Sequence, residues 1–434
     1  MNKRPWQSDF DIQYSAREQS DRVLESNVAE HVNMCLAKSP FYRKLGIREI
    51  SGIKDLPKAG FTFKDDLLKF NDEFLAVPEA DIIDTCFTSA TEGTIPVNFL
   101  LTAGDLERLT YNEQEAFRIA GVTKEDKMAV CVALERGFMA GLAYFLGGVK
   151  LGTHMIRVGA SGPRHIWNIL KIHKPTVMIG VPSVLAGVAG FALDEGEDPR
   201  SLKIGKILCI GEPLRDKDLK LLPSTRRIEE LWNAPIFSTY ASTEMASSFC
   251  ECAERQGGHF RPELIYIEII GDDGLPVSEG GLGEVVVTPI GVEGMPLVRF
   301  RTGDISYIIN ENCRCGRKTR RIAPVLGRKS QMLKYRGTVV FPNSIVSIVE
   351  ANADFNGCYV EVYRAQFGED RVVAVISAKG SKFDLEKLKE EFRAGLRVVP
   401  EIRIVDNGEL VKITQPSGSR KRKIFFDMRR VENL

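Results

Sequence analysis

Apolar residues recur at helical spacing from Val23 to Leu36, and the chain up to about residue 80 reads as helical, with a polar connector through Pro57 and Lys58. This region is expected to form a helical cap or lid. At Ile82 the period changes to a short apolar strand, then Thr88-Ser89-Ala90-Thr91-Glu92-Gly93-Thr94-Ile95-Pro96, then a second apolar run from Val97 to Leu101. Alternation follows: helix Ala103 to Ala120, strand Met128 to Leu134, Gly-rich helix Gly137 to Gly148, and a strand ending near Ile156. Helix Ile166 to His173 and strands Val177 to Gly180 and Lys206 to Ile210 continue it. Strand and helix in turn predict a mainly parallel α/β sheet. Beyond a strand at Ile236 to Ser238 the sequence becomes β-rich, with Ile265 to Ile270, a turn at Gly274, Gly283 to Thr288, and Leu297 to Phe300. Past Gly327, helix Pro342 to Ala351, strands Cys358 to Arg364 and Arg371 to Ser377, helix Leu385 to Leu396 and strand Glu401 to Val405 make a compact alternation. The expected fold class is therefore α/β. A large, multi-lobed N-terminal domain, residues 1–326, has mainly parallel sheets plus a β-rich part, and a small, mobile α+β C-terminal domain covers residues 327–434.

Composition narrows the function. At 434 residues, 44% hydrophobic and 27% charged, the chain can bury a large core and is not a disordered one. Lys plus Arg is 59 against 58 for Asp plus Glu, which gives no reason to expect a nucleic-acid partner. The start, MNKRPWQSDFDIQ, lacks a signal-peptide core and no apolar run reaches membrane-spanning length, so no membrane partner and a cytoplasmic location are expected. A homodimer stays open. Of nine cysteines, four lie in the pairs Cys250/Cys252 and Cys313/Cys315, which in a reducing compartment favour a metal, or no partner at all, over a disulfide framework.

Several segments carry chemistry. Arg301-Thr302-Gly303-Asp304 reads as an acidic turn whose Asp can accept two hydrogen bonds from a sugar diol, although a plain polar turn would look the same. The hydroxyls and amides of Thr88 to Pro96 can wrap phosphates, but the Gly-rich, Lys-Ser/Thr phosphate loop is absent from the sequence. Gly211-Glu212-Pro213 follows a strand, where ligands of such sheets bind. Tyr240-Ala241-Ser242-Thr243-Glu244 offers a ring for a base, small residues for close phosphate approach and a carboxylate for Mg²⁺; alternatively, Thr243-Glu244 begins a helix. Cys252, His259, Cys313 and Cys315 form a normal tetrahedral Cys₃His zinc set, with Cys250 as substitute; the alternative is buried or idle thiols and a surface His. The tail carries a Ser/Gly loop and then a basic cluster, Arg420-Lys421-Arg422-Lys423, which on its own is a solvated end.

Taken in order from about Ile82 to Asp427, these segments resemble the phenylacetate-CoA ligase family of the adenylate-forming superfamily. The family's hydroxyl-rich loop corresponds to Thr88 to Pro96, its Tyr-Gly-x-x-Glu segment to Tyr240 to Glu244, its Tyr-Arg-Thr-Gly-Asp segment to Phe300 to Asp304, and its hinge to Gly327 to Gly337. The resemblance implies an ATP-dependent carboxylic acid-CoA ligase, for an aryl acid by preference, using Mg²⁺ and coenzyme A, with a structural Zn²⁺. It implies ATP or AMP contacts at Thr88, Ser89, Thr91, Gly93, Gly211, Glu212, Pro213, Tyr240, Ala241, Ser242, Asp304, Arg328 and Lys334. Catalytic roles fall to Thr243, to Glu244 as the Mg²⁺ ligand, and to Lys421, preferred to Lys423 by its distance from Asp427. An acyl pocket is implied at Glu135, Arg136, Phe138 and Gly141, with Arg136 able to recognise a second acidic group. The sequence departs from the family at Ala90, Glu92 and Thr94-Ile95 in the phosphate loop, and at Ser330-Gln331 in the hinge. These departures keep two alternatives in view: an adenylyltransferase without CoA transfer, and a nucleotide-binding protein that has lost turnover.

Overall fold

The computed structural model describes residues 4–7, 11–88, 96–352, 354–364, 370–380, 383–415 and 423–429. Two units emerge. The larger comprises Met1–Leu214, Ile228–Thr302 and Ser306–Pro324; the smaller comprises Arg215–Arg227, Gly303–Ile305 and Val325–Leu434.

At the heart of the larger unit is a six-stranded sheet in the order His154–Arg157, Lys127–Cys131, Val177–Gly180, Lys206–Ile210, Ile236–Ser242 and Ser247–Cys250. The first five strands are parallel and the last is antiparallel. Val177–Gly180 is buried at every position, as a strand covered on both faces must be. One face packs on Trp167, Leu170, Leu185 and Val188, the other on Phe117 and Tyr144. The strand at Ile236 runs on to Ser242, farther than the sequence pattern indicates, and turns through Thr243–Ala246 into Ser247–Cys250. The helix that Thr243-Glu244 would have begun does not form.

The β-rich part pairs Ile265–Ile270 with Gly283–Pro289, followed by Phe300–Ser306. The expected strand at Leu297 to Phe300 therefore lies too early, and Arg301 to Asp304 sits inside a strand rather than on a turn. Gly303, at φ +75°, takes the left-handed conformation within that strand, which a Cβ would oppose. The first N-terminal helix joins the core of the larger unit. In the helix Arg17–Lys38, Leu24, Val28, Val32 and Leu36 recur every four residues and are buried in the same cluster as Ile267, Val285 and Val287.

The smaller unit has a four-stranded sheet, ordered Glu401–Val405, Asp370–Ala378, Phe355–Arg364 and Phe425–Asp427. Its central pair is antiparallel and both outer strands are parallel to their neighbours. Cys358, Val360 and Val362 face Ile345, Val349, Leu388 and Phe392 of two helices, while Tyr359 on the opposite side meets Leu410 of a third, Asn407–Thr414. The described end of the tail is part of this sheet, because Val360 N donates to Ile424 O at 2.8 Å and Met428 N to Val362 O at 2.8 Å. Among the described residues no helix is long and apolar enough to cross a membrane.

Candidate active site and metal centre

Parallel sheets leave a crevice outside the carboxyl ends of their strands. Three of the expected segments stand there: the loop after Lys127–Cys131, the turn after Lys206–Ile210, and the end of Ile236–Ser242. Gly211 turns at φ +78°, and Glu212 accepts hydrogen bonds from Ser183 N at 3.1 Å and Ser183 Oγ at 2.5 Å. The Glu212 carboxylate thus caps the first turn of the Pro182–Asp194 helix, where negative charge is favoured. Pro213 follows directly and leads to the buried Leu214.

Tyr240 is half-buried, its ring 6.0 Å from and nearly parallel to that of Phe249. Ala241 is exposed, and Ser242 pairs with Ser247 to close the hairpin. Ser242 Oγ accepts from Met245 N at 3.3 Å, and Thr243 O from Ala246 N at 3.1 Å. Met245 and Ala246 are anchored in the core, which leaves Thr243 and Glu244 half-exposed at the tip.

The stem of the hydroxyl-rich loop is a hairpin, Ile82–Phe87 with Asn98–Thr102. Thr88 belongs to that stem: its N–H donates to Val97 O at 3.0 Å and its Oγ1 accepts from Val97 N at 3.2 Å. Ser89, Thr91 and Gly93 lie outside the described residues, as does Lys421. Phe87 N donates to Gly137 O at 2.9 Å, which ties this stem to the expected acyl-pocket loop. Arg136 and Gly137 both have left-handed backbone, at φ +65° and +60°, and Glu135, Arg136 and Phe138 are exposed. Glu135 Oε2 accepts from its neighbour Leu134 N at 3.0 Å. Gly141 is buried where a Cβ would come within 1.9 Å of Ala133 O, so no larger residue fits.

In the smaller unit, Asp304 pairs in register with Arg328, and Arg328 Nε stands 2.9 Å from Asp304 Oδ1. Gly327 precedes it at a point where a Cβ would strike the Phe341 ring. Lys334 is exposed on the hairpin Leu333–Tyr335 with Thr338–Val340; its N–H donates to Asp370 Oδ2 at 3.0 Å. Arg336 and Gly337, both at positive φ, make the two-residue turn that suits the strands' twist.

Cys252, His259, Cys313 and Cys315 are brought together, their ligand atoms all within 4.8 Å of one another. Cys252 Sγ lies 3.6 Å from Cys313 Sγ, and Cys315 Sγ 3.4 Å from His259 Nε2. A buried relay fixes the ring. Gln13 Nε2 donates to Phe260 O at 3.0 Å, so its Oε1 accepts from Thr319 Oγ1 at 3.2 Å, and Thr319 Oγ1 can then accept from His259 Nδ1 at 3.1 Å. That leaves the Nε2 lone pair facing the thiols, the arrangement seen when imidazole binds a metal. Burial, reinforced by the Arg317 and Arg321 charges, lowers His259 to about 3 and keeps it neutral. Burial raises Cys252 to about 12. At Cys315 burial also pushes upward, but hydrogen bonds from Arg317, Cys313 and Cys252 outweigh it and hold the thiol below its ordinary value. Three thiols and one neutral imidazole at this spacing fit a tetrahedral soft-ligand metal and leave no position for a substrate. Cys250, the alternative ligand, instead receives a hydrogen bond from Thr239 at 3.4 Å.

One buried network escapes the sequence reading. Arg108, Asn112 and Glu113 of the Ala103–Ile119 helix meet Ser247, Ser248, Arg261 and Glu263 in the interior. Spaced along a helix, such residues look like a solvated face. Burial raises both Glu113 and Glu263 to about 7.

Motif-bearing loops along the carboxyl edge of a parallel sheet, with an Asp–Arg pair downstream, define a nucleotide-using α/β enzyme. Comparison with known proteins gives the class its family. The AMP-binding enzyme family profile matches residues 19–293. The phenylacetate-coenzyme A ligase of Thermus thermophilus is 28% identical over 347 residues, 77% of this chain and 76% of that one. That of Escherichia coli K12 is 23% identical over 405 residues, 88% and 87% of the two chains. Among solved structures, a 2-hydroxyisobutyryl-CoA ligase in complex with an adenylate superposes with a TM-score of 0.82 at 19% identity, over 97% of this chain and 92% of that one. The o-succinylbenzoate-CoA synthetase of Bacillus subtilis superposes with a TM-score of 0.56 at 18% identity, over 78% and 69%. The chain belongs to the AMP-binding enzyme family, and the resemblance to phenylacetate-CoA ligases drawn from its motifs is borne out, as is the α/β fold class.

Proposed function

We propose that the protein is an ATP-dependent acid-CoA ligase working through an acyl-adenylate. In the first step a carboxylate oxygen of the acid attacks the α-phosphorus of ATP, the bond to the β-phosphate oxygen breaks, and pyrophosphate leaves. In the second, the sulfur of coenzyme A attacks the acyl carbon and AMP departs. Both steps need positioned charge more than an acid or base. Tyr240 offers its ring to adenine, with Gly211 and Pro213 on the same edge, while Asp304 accepts the ribose hydroxyls and Arg328, its ion-pair partner, supports the sugar or phosphate. Ala241, Ser242 and Thr243 line the phosphates. Lys421 bridges the carboxylate and the α-phosphate, and Lys334 completes the anionic contacts. The arrangement of the Thr243–Ala246 turn carries this reading, because its buried end fixes a tip on which a hydroxyl and a carboxylate stand half-exposed. The Glu244 carboxylate there is a hard oxygen donor and suits Mg²⁺, which when bound would offset triphosphate charge.

Glu135, Arg136, Phe138 and Gly141 are proposed to shape the acyl pocket for an aryl or other small carboxylic acid. Movement of the 327–434 domain is the proposed means by which one site serves both steps. The Cys₃His cluster is proposed to hold a structural Zn²⁺, and the protein to act in the cytoplasm. The preference for Lys421 is supported by Lys423, whose ammonium rests 4.8 Å from the Phe426 ring centroid and whose N–H donates to Thr414 O at 2.8 Å. Two observations test the proposal. Adding coenzyme A to enzyme, acid and ATP should yield a thioester by mass spectrometry, whereas an adenylate that accumulates untouched would favour transfer to another acceptor. Lys421→Ala should abolish adenylation; loss confined to Lys423→Ala would move the role to Lys423.

A further inference from the structure

The tip that carries Thr243 and Glu244 is held from below by a residue to which no role has yet been given. Arg108, in the middle of the Ala103–Ile119 helix, is 1% exposed. Its Nε donates to Ile290 O at 2.6 Å, its Nη2 to Leu264 O at 2.6 Å and to Ser247 Oγ at 3.1 Å, and its Nη1 to Ala246 O. None of these four bonds reaches a carboxylate. The guanidinium is used to fix main chain at three separate places, and Ala246 is the last residue of the turn that begins at Thr243.

The geometry makes Ala246 the point from which that turn is set. Ala246 has left-handed backbone at φ +45°, an unfavourable conformation for a residue with a Cβ, and it closes the turn by donating to Thr243 O at 3.1 Å. One helical turn beyond Arg108, Asn112 donates to Ser248 Oγ at 3.1 Å and accepts from Ser248 N at 3.2 Å. Residues 246, 247 and 248 are therefore each bonded to the same helix face. That helix directly follows Asn98–Thr102, the strand leaving the hydroxyl-rich loop. A charged group at this depth costs free energy unless its donors are satisfied, so it is retained where its reach does something an apolar residue cannot.

We propose that Arg108 is a positioning residue for the nucleotide: by clamping Ala246 it sets where the Thr243 hydroxyl and Glu244 carboxylate stand toward a Mg²⁺-bound triphosphate. The inference rests on the functional reading above. A lysine at this position keeps the charge but cannot span the four acceptors. In Arg108→Lys, kcat/KM for MgATP in pyrophosphate exchange should fall on the order of 10- to 100-fold, the effect of misplacing a reacting group by about 1 Å. The Mg²⁺ concentration giving half-maximal rate should rise, while the KM for the acid stays unchanged. Rates are expressed per folded molecule, from circular dichroism and tryptophan fluorescence. Ser247→Ala removes only one of the four acceptors and is the second variant should Arg108→Lys fail to fold; it should show a smaller loss with the same selectivity for MgATP. A loss that follows the folded fraction alone, or one shared equally by MgATP and the acid, would overturn the inference. A wild-type protein that exchanges no pyrophosphate with any acid overturns the functional reading and this inference with it. Wild-type exchange combined with unselective variants overturns this inference alone.

Discussion

Glu268→Ala isolates a buried ion pair that anchors the start of the strand Phe300–Ser306. Arg299 Nε and Nη2 each donate to one Glu268 oxygen at 2.9 Å, and the two side chains are 4% and 8% exposed. The Arg299 guanidinium also lies 4.1 Å from the Phe61 ring centroid, and its backbone is held by Thr288 Oγ1 at 3.0 Å and Thr62 N at 3.1 Å. Charge centres about 4 Å apart attract by about 4 kcal/mol at an effective dielectric constant of 20. Removing Glu268 leaves a buried guanidinium uncompensated, for which about 3–5 kcal/mol of destabilisation is expected. The double variant Glu268→Leu with Arg299→Met removes both charges and should recover most of that loss. All three tryptophans, Trp6, Trp167 and Trp232, belong to the larger unit, so urea unfolding followed by tryptophan fluorescence reads that unit alone. A single variant that costs less than about 1 kcal/mol, or a double variant as unstable as the single, would refute the reasoning.

Two other expectations concern stability. Chelation, or Cys313→Ser, should lower the melting temperature of the larger unit without selectively removing activity from the folded fraction, and purified protein should carry about one zinc per chain by elemental analysis; metal-free protein of unchanged stability would dismiss the zinc. Glu113 is raised from 4.5 to about 7 by burial, with Arg261, Ser248 and Asn112 opposing the shift and Tyr144 and Cys250 close by. The folded state thus binds a proton that the unfolded chain has released between these values, so the stability from this group is full below pH 4.5 and is lost as pH rises to about 7. The change is on the order of 3 kcal/mol, and Glu113→Gln should flatten that part of the urea midpoint against pH; an unaltered profile would count against it.

Much of the fold is legible in the sequence where local signals agree. The helices Pro342–Ala351 and Leu385–Leu396 have their expected bounds because Pro342 occupies the first helical position and the Asp384 side chain accepts from Lys387 N. Val177–Gly180 and Lys206–Ile210 are short apolar runs with clear turn residues around them. The helix Pro182–Asp194 is missed because its apolar, glycine-bearing sequence shows little amphipathic contrast, and Phe425–Asp427 because a parallel pairing with Val360–Val362 leaves no local trace. Gly303-Asp304 looks like a turn, yet the strand absorbs the left-handed glycine. At the sites, the Cys-x-Cys spacing announces the cluster, but nothing in the sequence points to Gln13 as its distant support. Position after a strand marks out Glu212, but only the fold reveals that its carboxylate caps a neighbouring helix through Ser183.

The most direct test of the central claim is ATP–pyrophosphate exchange across a panel of aryl, acyl and dicarboxylic acids, with Mg²⁺ and without coenzyme A, because it isolates the first half-reaction. The account predicts acid-dependent, Mg²⁺-dependent exchange, strongest for one class of acid and lost in Lys421→Ala. Silence across the whole panel from protein that still binds ATP would contradict it, and would make Glu92 in the altered loop the mark of a nucleotide-binding protein without turnover.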